Sequence, residues 1–205
     1  MILRTTSILP IKSQIIGEPR TEVPGFLKLQ DLTSGLIVLH VRESEPSRLI
    51  IDFFNVQNAL EIGEAQSTDE GILCRLTTDD YLFLEGPCEE ERTTLEHLQE
   101  VAEGSDIVIT DLTHGYGKLV ISGKGVAYLL SSLCGLDFSE AGFSDRRVAQ
   151  TSLAKVHTTL IRIDDQSDMP RFFVLMDRSL SGYVWKVMNN IILTFTKKDD
   201  VNTTN

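Results

Sequence analysis

"KLVISGKGVAYLLSSLC" (residues 118–134) and "VAQTSLAKVHTTLIRI" (148–163) carry two different hydrophobic periods in close succession. The run "KLVIS" is apolar and β-branched, as a strand requires. "GVAYLLSSLC" then places Val126, Leu129, Leu130 and Leu133 at helical spacing. The second segment alternates for long enough to make two strands, with a turn near Ala154–His157. A strand, a helix and a strand pair in series is a split β-α-β unit, not one step of a doubly wound sheet.

The same grammar extends upstream. "GLIVLHV" from Gly35 reads as a buried strand, and "RLIIDFF" (48–54) is a short apolar segment of either type. "ILCRL" and "DYLFLEG" make a hairpin across "TTDD", whose hydroxyls and carboxylates suit a tight connection. "EEERTTLEHLQEVAE" is helical, with Leu95, Leu98, Val101 and Ala102 on one face and Glu89–Glu91 at the end that favours negative charge. "DIVIT" is a strand, expected to pair with "KLVIS" in a hairpin across "HGYG", where glycines tolerate positive φ. Ser122 is a candidate cap for the helix that follows. Downstream, "RFFVLM" is a strand. Ser179 is the expected N-cap of a last helix carrying Leu180, Val184, Val187, Met188 and Ile191 as an apolar stripe. The fold class is therefore α+β, built of split β-α-β (ferredoxin-like) units. Residues 1–25 read as an extended or partly disordered arm, 26–195 as the domain, and 196–205 as a polar tail.

The chemistry-bearing motifs fail on spacing. Between Gly117 and the Gly123-Lys124 pair stand five residues where a Walker loop has four, and Gly125 follows where that loop needs a hydroxyl. The dinucleotide fingerprint would need its third glycine at Val120. Asp111, His114 and Ser122 supply the residue types of a triad, but no nucleophile elbow surrounds the serine, so turn hydrogen bonds account for the Asp and His. His40, His97, His114 and His157 stand far apart and no cysteine pair has ligand spacing, so no metal site is expected. Cys74, Cys88 and Cys134 are scattered singly, as in a reducing cytoplasm.

Of 205 residues, 19 are Lys or Arg and 30 are Asp or Glu, a net charge of −11 that argues against nucleic acid as a partner. The acidic excess lies in residues 1–105, with 8 basic against 19 acidic side chains, while residues 106–205 balance at 11 and 11. That half is a candidate face for a basic partner subunit. Apolar runs such as Leu36–Leu39 and Ile191–Leu193 are too short for a membrane span. The first residues lack the continuous apolar core of a secretory signal, so a cytoplasmic location is expected.

The order of pieces resembles the gamma subunits of heterotetrameric sarcosine oxidase and, more distantly, the folate-binding T-protein (aminomethyltransferase) of the glycine cleavage system. The residues that carry the resemblance begin with Asp79-Asp80-Tyr81-Leu82, Asp111-Leu112-Thr113-His114 and Ile121-Ser122-Gly123. Cys134-Gly135-Leu136-Asp137, Ala149-Gln150-Thr151, Arg178-Ser179 and Trp185 continue it, over about residues 70–193. The resemblance implies the fold of the folate-binding domain. It also shows a departure. In the aminomethyltransferases "AQY" leads through a glycine-rich hairpin to an Asp that serves the folate, whereas here Thr151 stands in the Tyr position and the hairpin has neither glycine nor carboxylate.

What the resemblance implies is thus a non-catalytic, gamma-like subunit of a sarcosine oxidase-type complex acting on sarcosine or a related N-methyl amino acid. Its larger flavoprotein partners would hold the flavins and the nicotinamide cofactor (NAD), and this chain would bind no cofactor. Gln150 and Thr151 are the candidates for lining any residual cleft for tetrahydrofolate. A stand-alone folate-binding protein, or the equivalent subunit of an N-methylglutamate dehydrogenase-like complex, are the alternatives. Trp185 is read as core, with Tyr183 beside it as a candidate interface residue.

Overall fold

The computed structural model describes residues 20–23, 27–32, 35–41, 48–56, 58–86, 94–164 and 169–202. In chain order they form β1 (Arg20–Val23), β2 (Leu27–Asp31), β3 (Leu36–Val41), α1 (Arg48–Phe53), β4 (Ala65–Ser67), β5 (Gly71–Arg75) and β6 (Asp80–Glu85). Then come α2 (Thr94–Val101), β7 (Ile107–Asp111), β8 (Tyr116–Ser122), α3 (Val126–Ser131), β9 (Arg147–Leu153), β10 (Val156–Arg162), β11 (Arg171–Asp177) and α4 (Arg178–Asn202). Most of the expected arm, the Glu89–Glu91 cluster and Cys88 lie outside the described residues; Arg20–Val23 of the arm is β1, antiparallel to β2. The helix α4 continues into the stretch read as a tail. Among the described residues no helix is long and apolar enough to cross a membrane.

The chain divides into two compact units. One unit, Ser34–Gly115 with Arg146–Ala149, holds a sheet of order β4-β5-β6-β3-β7. Without the three-residue β4, its elements run β3-α1-β5-β6-α2-β7, and the strand order is that of a ferredoxin-like β-α-β-β-α-β unit. One face of this sheet presents Ile37, Leu39, Leu73, Phe83 and Ile107 to Ile50 and Phe54 from α1 and its end and to Leu98 and Ala102 from α2 and its end. The period-2 alternation of strands and the helical spacing of Leu98 and Ala102 make one apolar layer of them. Val101, expected on that face, is exposed at 41% because it lies about 100° round the helix from the buried Ala102. The "RLIIDFF" segment is helical.

The β5–β6 hairpin forms as expected. Thr77 Oγ1 accepts the amides of Asp79 and Asp80 at 3.2 and 3.0 Å, and the Leu76 amide reaches the Asp80 carbonyl at 2.9 Å. At the far end of β6 the buried Glu85 carboxylate accepts the Thr94 amide at 3.3 Å, placing negative charge at the start of α2. A Cβ on Gly35 would run into that carboxylate, which explains the glycine.

The other unit holds a sheet of order β1-β2-β8-β11-β10-β9. Its inner strands β2-β8-β11-β10 again have the ferredoxin-like order, but the strand that should follow α4 is supplied by β2 from the start of the chain. Ser181, Val184, Trp185, Met188 and Ile192 form the buried face of α4, so Trp185 is a core residue while Leu180 and Tyr183 are exposed. The α3 face buries Val126, Leu129 and Leu130 as the spacing predicts.

Three local expectations are corrected. The strands β7 and β8 are not a hairpin: β7 pairs with β3 and β8 with β2 and β11, in different sheets. The turn between them closes on itself through Gly115 N–H to Leu112 O at 3.0 Å, and Thr113 Oγ1 takes the Leu36 amide at 3.0 Å. Neither Gly115 nor Gly117 needs positive φ. Ser122 is not a cap, because Gly123 at φ 120° redirects the chain and Gly125 occupies the cap position with no side-chain bond. The last helix is capped two residues earlier in sequence than expected: Asp177 Oδ1 accepts the Ser179 amide at 2.8 Å and its hydroxyl at 2.5 Å.

Candidate functional site

Gln150 and Thr151 lie on β9, at the edge of the six-stranded sheet. As consecutive strand residues they point to opposite faces of the sheet. Gln150 is exposed, whereas the half-buried Thr151 hydroxyl lies 3.3 Å from the Cys134 thiol. The tip that follows is a two-residue turn, Ala154 and Lys155, with φ of 50° and 67°. Both angles lie in the left-handed region that glycine and asparagine fill at least cost. The tip is held on two sides. Ala154 N–H donates to Leu133 O at 2.9 Å, and the Tyr183 hydroxyl donates to Ala154 O at 3.2 Å. Where the resemblance places a glycine-rich, carboxylate-bearing hairpin, this chain has a short tip clamped to the ends of α3 and α4.

At the other end of β10 stands a cluster that the sequence reading missed. The Arg162 side chain is 5% exposed. Its Nε donates to Asp164 Oδ1 and Oδ2 at 3.0 and 3.1 Å, and its Nη2 to Asp164 Oδ2 and Glu140 Oε2, both at 2.6 Å. Nη1 donates to the Phe143 carbonyl at 2.5 Å. The Asp164 hydrogen bonds push the guanidinium above its ordinary range against the opposing effect of burial, and Glu140 adds to the rise. Asp164 itself accepts the Arg171 amide at 3.1 Å, and its own amide donates to Asp145 Oδ1 at 2.8 Å.

The loop that delivers Glu140 and Phe143 is built by "DFSEAGF". Asp137 Oδ1 accepts the Ser139 amide at 2.9 Å, and bonding to Ser139 holds the Asp137 carboxyl below the usual range. Gly142 lies where a Cβ would strike Asp137. Phe138, Phe143 and Phe172 pack with centroids 5.5–5.9 Å apart, and the guanidinium lies 5.8 Å from the Phe172 ring. All three guanidinium nitrogens are engaged, so the cluster is a clasp that joins the loop to the sheet and leaves no fork for a substrate anion. No short motif announces it, since its carboxylates lie 2 and 22 positions from the arginine.

Asp111, His114 and Ser122 do not act as a unit. Asp111 Oδ1 accepts the Thr113 amide at 2.8 Å, as a turn residue does, and Ser122 belongs to the other unit. His40 Nδ1 and Asp80 Oδ1 lie 2.8 Å apart on neighbouring strands, exposed. Cys74 and Cys134 are buried free thiols, and burial pushes the Cys74 thiol far above its ordinary range. Among the described residues no group of three or more His, Cys, Asp or Glu could hold a metal ion.

No protein-family model matches the sequence, and no curated protein is similar to it in sequence. Solved structures are similar in fold. One chain of the heterotetrameric sarcosine oxidase from Corynebacterium sp. U-96, solved in complex with pyrrole 2-carboxylate, superposes with a TM-score of 0.76 at 19% identity. The match covers 95% of this chain and 97% of that one. The glycine cleavage system aminomethyltransferase T from Bartonella henselae gives 0.67 at 13% identity, over 91% of this chain and 57% of that enzyme. The chain therefore has the fold its sequence resembles, the α+β fold common to these two proteins, and spans little more than half the length of the aminomethyltransferase.

Proposed function

We propose that this chain is a non-catalytic, gamma-like subunit of a heterotetrameric sarcosine oxidase-type complex, which demethylates sarcosine or a related N-methyl amino acid oxidatively and feeds one-carbon metabolism through tetrahydrofolate. The observation that carries this reading is the near end-to-end likeness in fold to one chain of such an enzyme. The clamped hairpin without carboxylate or glycine supports the non-catalytic part of it, as does the arginine clasp with its nitrogens all engaged. Flavin and the nicotinamide cofactor belong, on this reading, to larger partner subunits in the cytoplasm.

The test is affinity purification of the chain from native extract under gentle salt. The expected result is co-elution with a larger yellow flavoprotein and sarcosine-dependent oxygen consumption in the complex but not in the free chain. A chain recovered as a monomer, without a flavoprotein, overturns the proposal. Calorimetry of the free chain with tetrahydrofolate separates the alternative. Micromolar binding that Gln150→Ala or Thr151→Val weakens would favour a stand-alone folate-binding protein. Oxidation of N-methylglutamate by the purified complex would identify the other related assembly.

A further inference from the structure

The acidic excess of the sequence falls within one unit. Ser34–Gly115 with Arg146–Ala149 carries 6 Lys or Arg against 18 Asp or Glu, a net −12, and the rest of the chain carries 13 against 12, a net +1. In that unit β7 ends the strand order, and among the described residues it pairs with β3 and no other strand. The Leu112 amide bonds the Leu36 carbonyl, and the register pairs Val38 with Thr110 and His40 with Val108. In an antiparallel pair the backbone groups of alternate residues face the partner strand. Val108 and Thr110 therefore bond to β3, and the main-chain groups of Ile109 and Asp111 face outward from the sheet edge.

This edge has the composition of a strand that invites pairing. "IVIT" is β-branched throughout and uncharged, and it contains no proline. Val108 is 44% exposed, and Thr110 and Asp111 are exposed beside it. The usual protection of an edge by lysine is missing, and the charges that flank it are all negative: Glu103 and Asp106 before the strand and Asp111 at its end, each exposed. A second copy of this chain would bring the same carboxylates against themselves, with −12 on each unit. Like charges facing each other across a ladder oppose pairing. A basic strand meets complementary charge at both ends of the ladder.

We infer that the outer edge of β7 is a docking site for an extended, lysine- or arginine-rich segment of a partner protein, which adds to the five-stranded sheet as a further strand. Main-chain bonds to Ile109 and Asp111 give the segment its register, and Glu103, Asp106 and Asp111 select its charge. The inference goes beyond the proposed complex and does not depend on which enzyme the partner belongs to.

The test uses the full chain and synthetic octapeptides in which Val or Thr alternates with Lys, with the same peptide carrying Glu for Lys, and with the Lys peptide N-methylated at alternate residues. Amide exchange is read by NMR. In the free chain, Val108 and Thr110 should exchange slowly and Ile109 and Asp111 fast. Saturating Lys peptide should slow Ile109 and Asp111 at least about tenfold, with weaker binding as salt rises. The Glu peptide and the N-methylated peptide should leave both amides unchanged, and Asp106→Lys with Asp111→Lys should abolish the protection while the chain keeps its fold by circular dichroism. No protection by the Lys peptide overturns the inference. Equal binding of the N-methylated peptide also overturns it, since charge alone would then account for adhesion. Failure here leaves the flavoprotein co-purification standing, so the two readings fail separately.

Discussion

The Tyr183 hydroxyl donates to the main-chain carbonyl of Ala154 at 3.2 Å, so the last helix holds the tip of the β9–β10 hairpin. That tip keeps two non-glycine residues at positive φ. The left-handed conformation costs roughly 1–2 kcal/mol for a residue with a Cβ. The double substitution Ala154→Asn with Lys155→Gly supplies the pair that this turn favours. It should raise the unfolding free energy by about 1 kcal/mol, measured in urea. A double variant less stable than the parent would show that the clamp on Ala154, and not the turn chemistry, decides this conformation.

Arg162 is the charge whose loss the fold should tolerate least. Arg162→Met leaves the Asp164 carboxylate, 19% exposed, without its countercharge, and should cost about 3 kcal/mol or more. Arg162→Lys keeps the charge but loses the fork that joins Asp164, Glu140 and the Phe143 carbonyl. It should cost roughly half as much, on the order of 1–2 kcal/mol. Urea unfolding of both variants checks the order. A Lys variant as stable as the parent would mean that a point charge alone closes the clasp.

Tyr81 carries the opposite case. Its hydroxyl is buried within the apolar layer between β6 and the helices and has no hydrogen-bond partner among the described residues. A buried hydroxyl left unsatisfied costs about 1–3 kcal/mol. Tyr81→Phe should therefore raise stability by about 1 kcal/mol. Burial also pushes the phenol above its ordinary range, with Arg75 pulling it back. A group raised on folding contributes fully below its unfolded pKa, so the parent should lose stability as pH climbs past about 10. The Phe variant should lose less. Destabilisation by the substitution would show that the hydroxyl is engaged.

The β5–β6 hairpin was legible because "TTDD" writes its own turn: Thr77 holds the amides two and three residues on. The helices α2 and α3 were legible because Leu98, Leu129 and Leu130 repeat with the helical period. "HGYG" misled for a physical reason. A glycine-bearing turn that carries the chain from one sheet to another uses the same residue types as a hairpin turn, and only long-range pairing distinguishes them. The charge split was visible as a gradient along the sequence, yet its boundary follows the chain's return at Arg146–Ala149, which no local pattern marks. The arginine clasp was illegible for the same reason, because Glu140 and Asp164 meet Arg162 from either side of a hairpin. The candidate pair Gln150–Thr151 came from resemblance alone, and strand geometry sends the two to opposite faces.

Ser179 was a reasonable cap by type, but Asp177 takes that role, and its charge makes the difference measurable. The Ser179 hydroxyl and amide both donate to its carboxylate and hold it below the usual range. The positive end of α4 favours the same ionised form. A carboxyl lowered on folding contributes stability above its unfolded pKa, near 3.9 in model peptides (about that value in the unfolded chain), and loses it as pH falls through the lower folded value. Asp177→Asn keeps a capping oxygen and removes the charge. At neutral pH this variant should melt slightly below the parent, and the gap should close as pH falls below about 3. Asp177→Ala removes the cap as well and should stay below the parent throughout. Thermal melts across this range, with an NMR titration of the Asp177 carboxyl, decide it: a midpoint at the ordinary value would remove the linkage between this cap and acid stability.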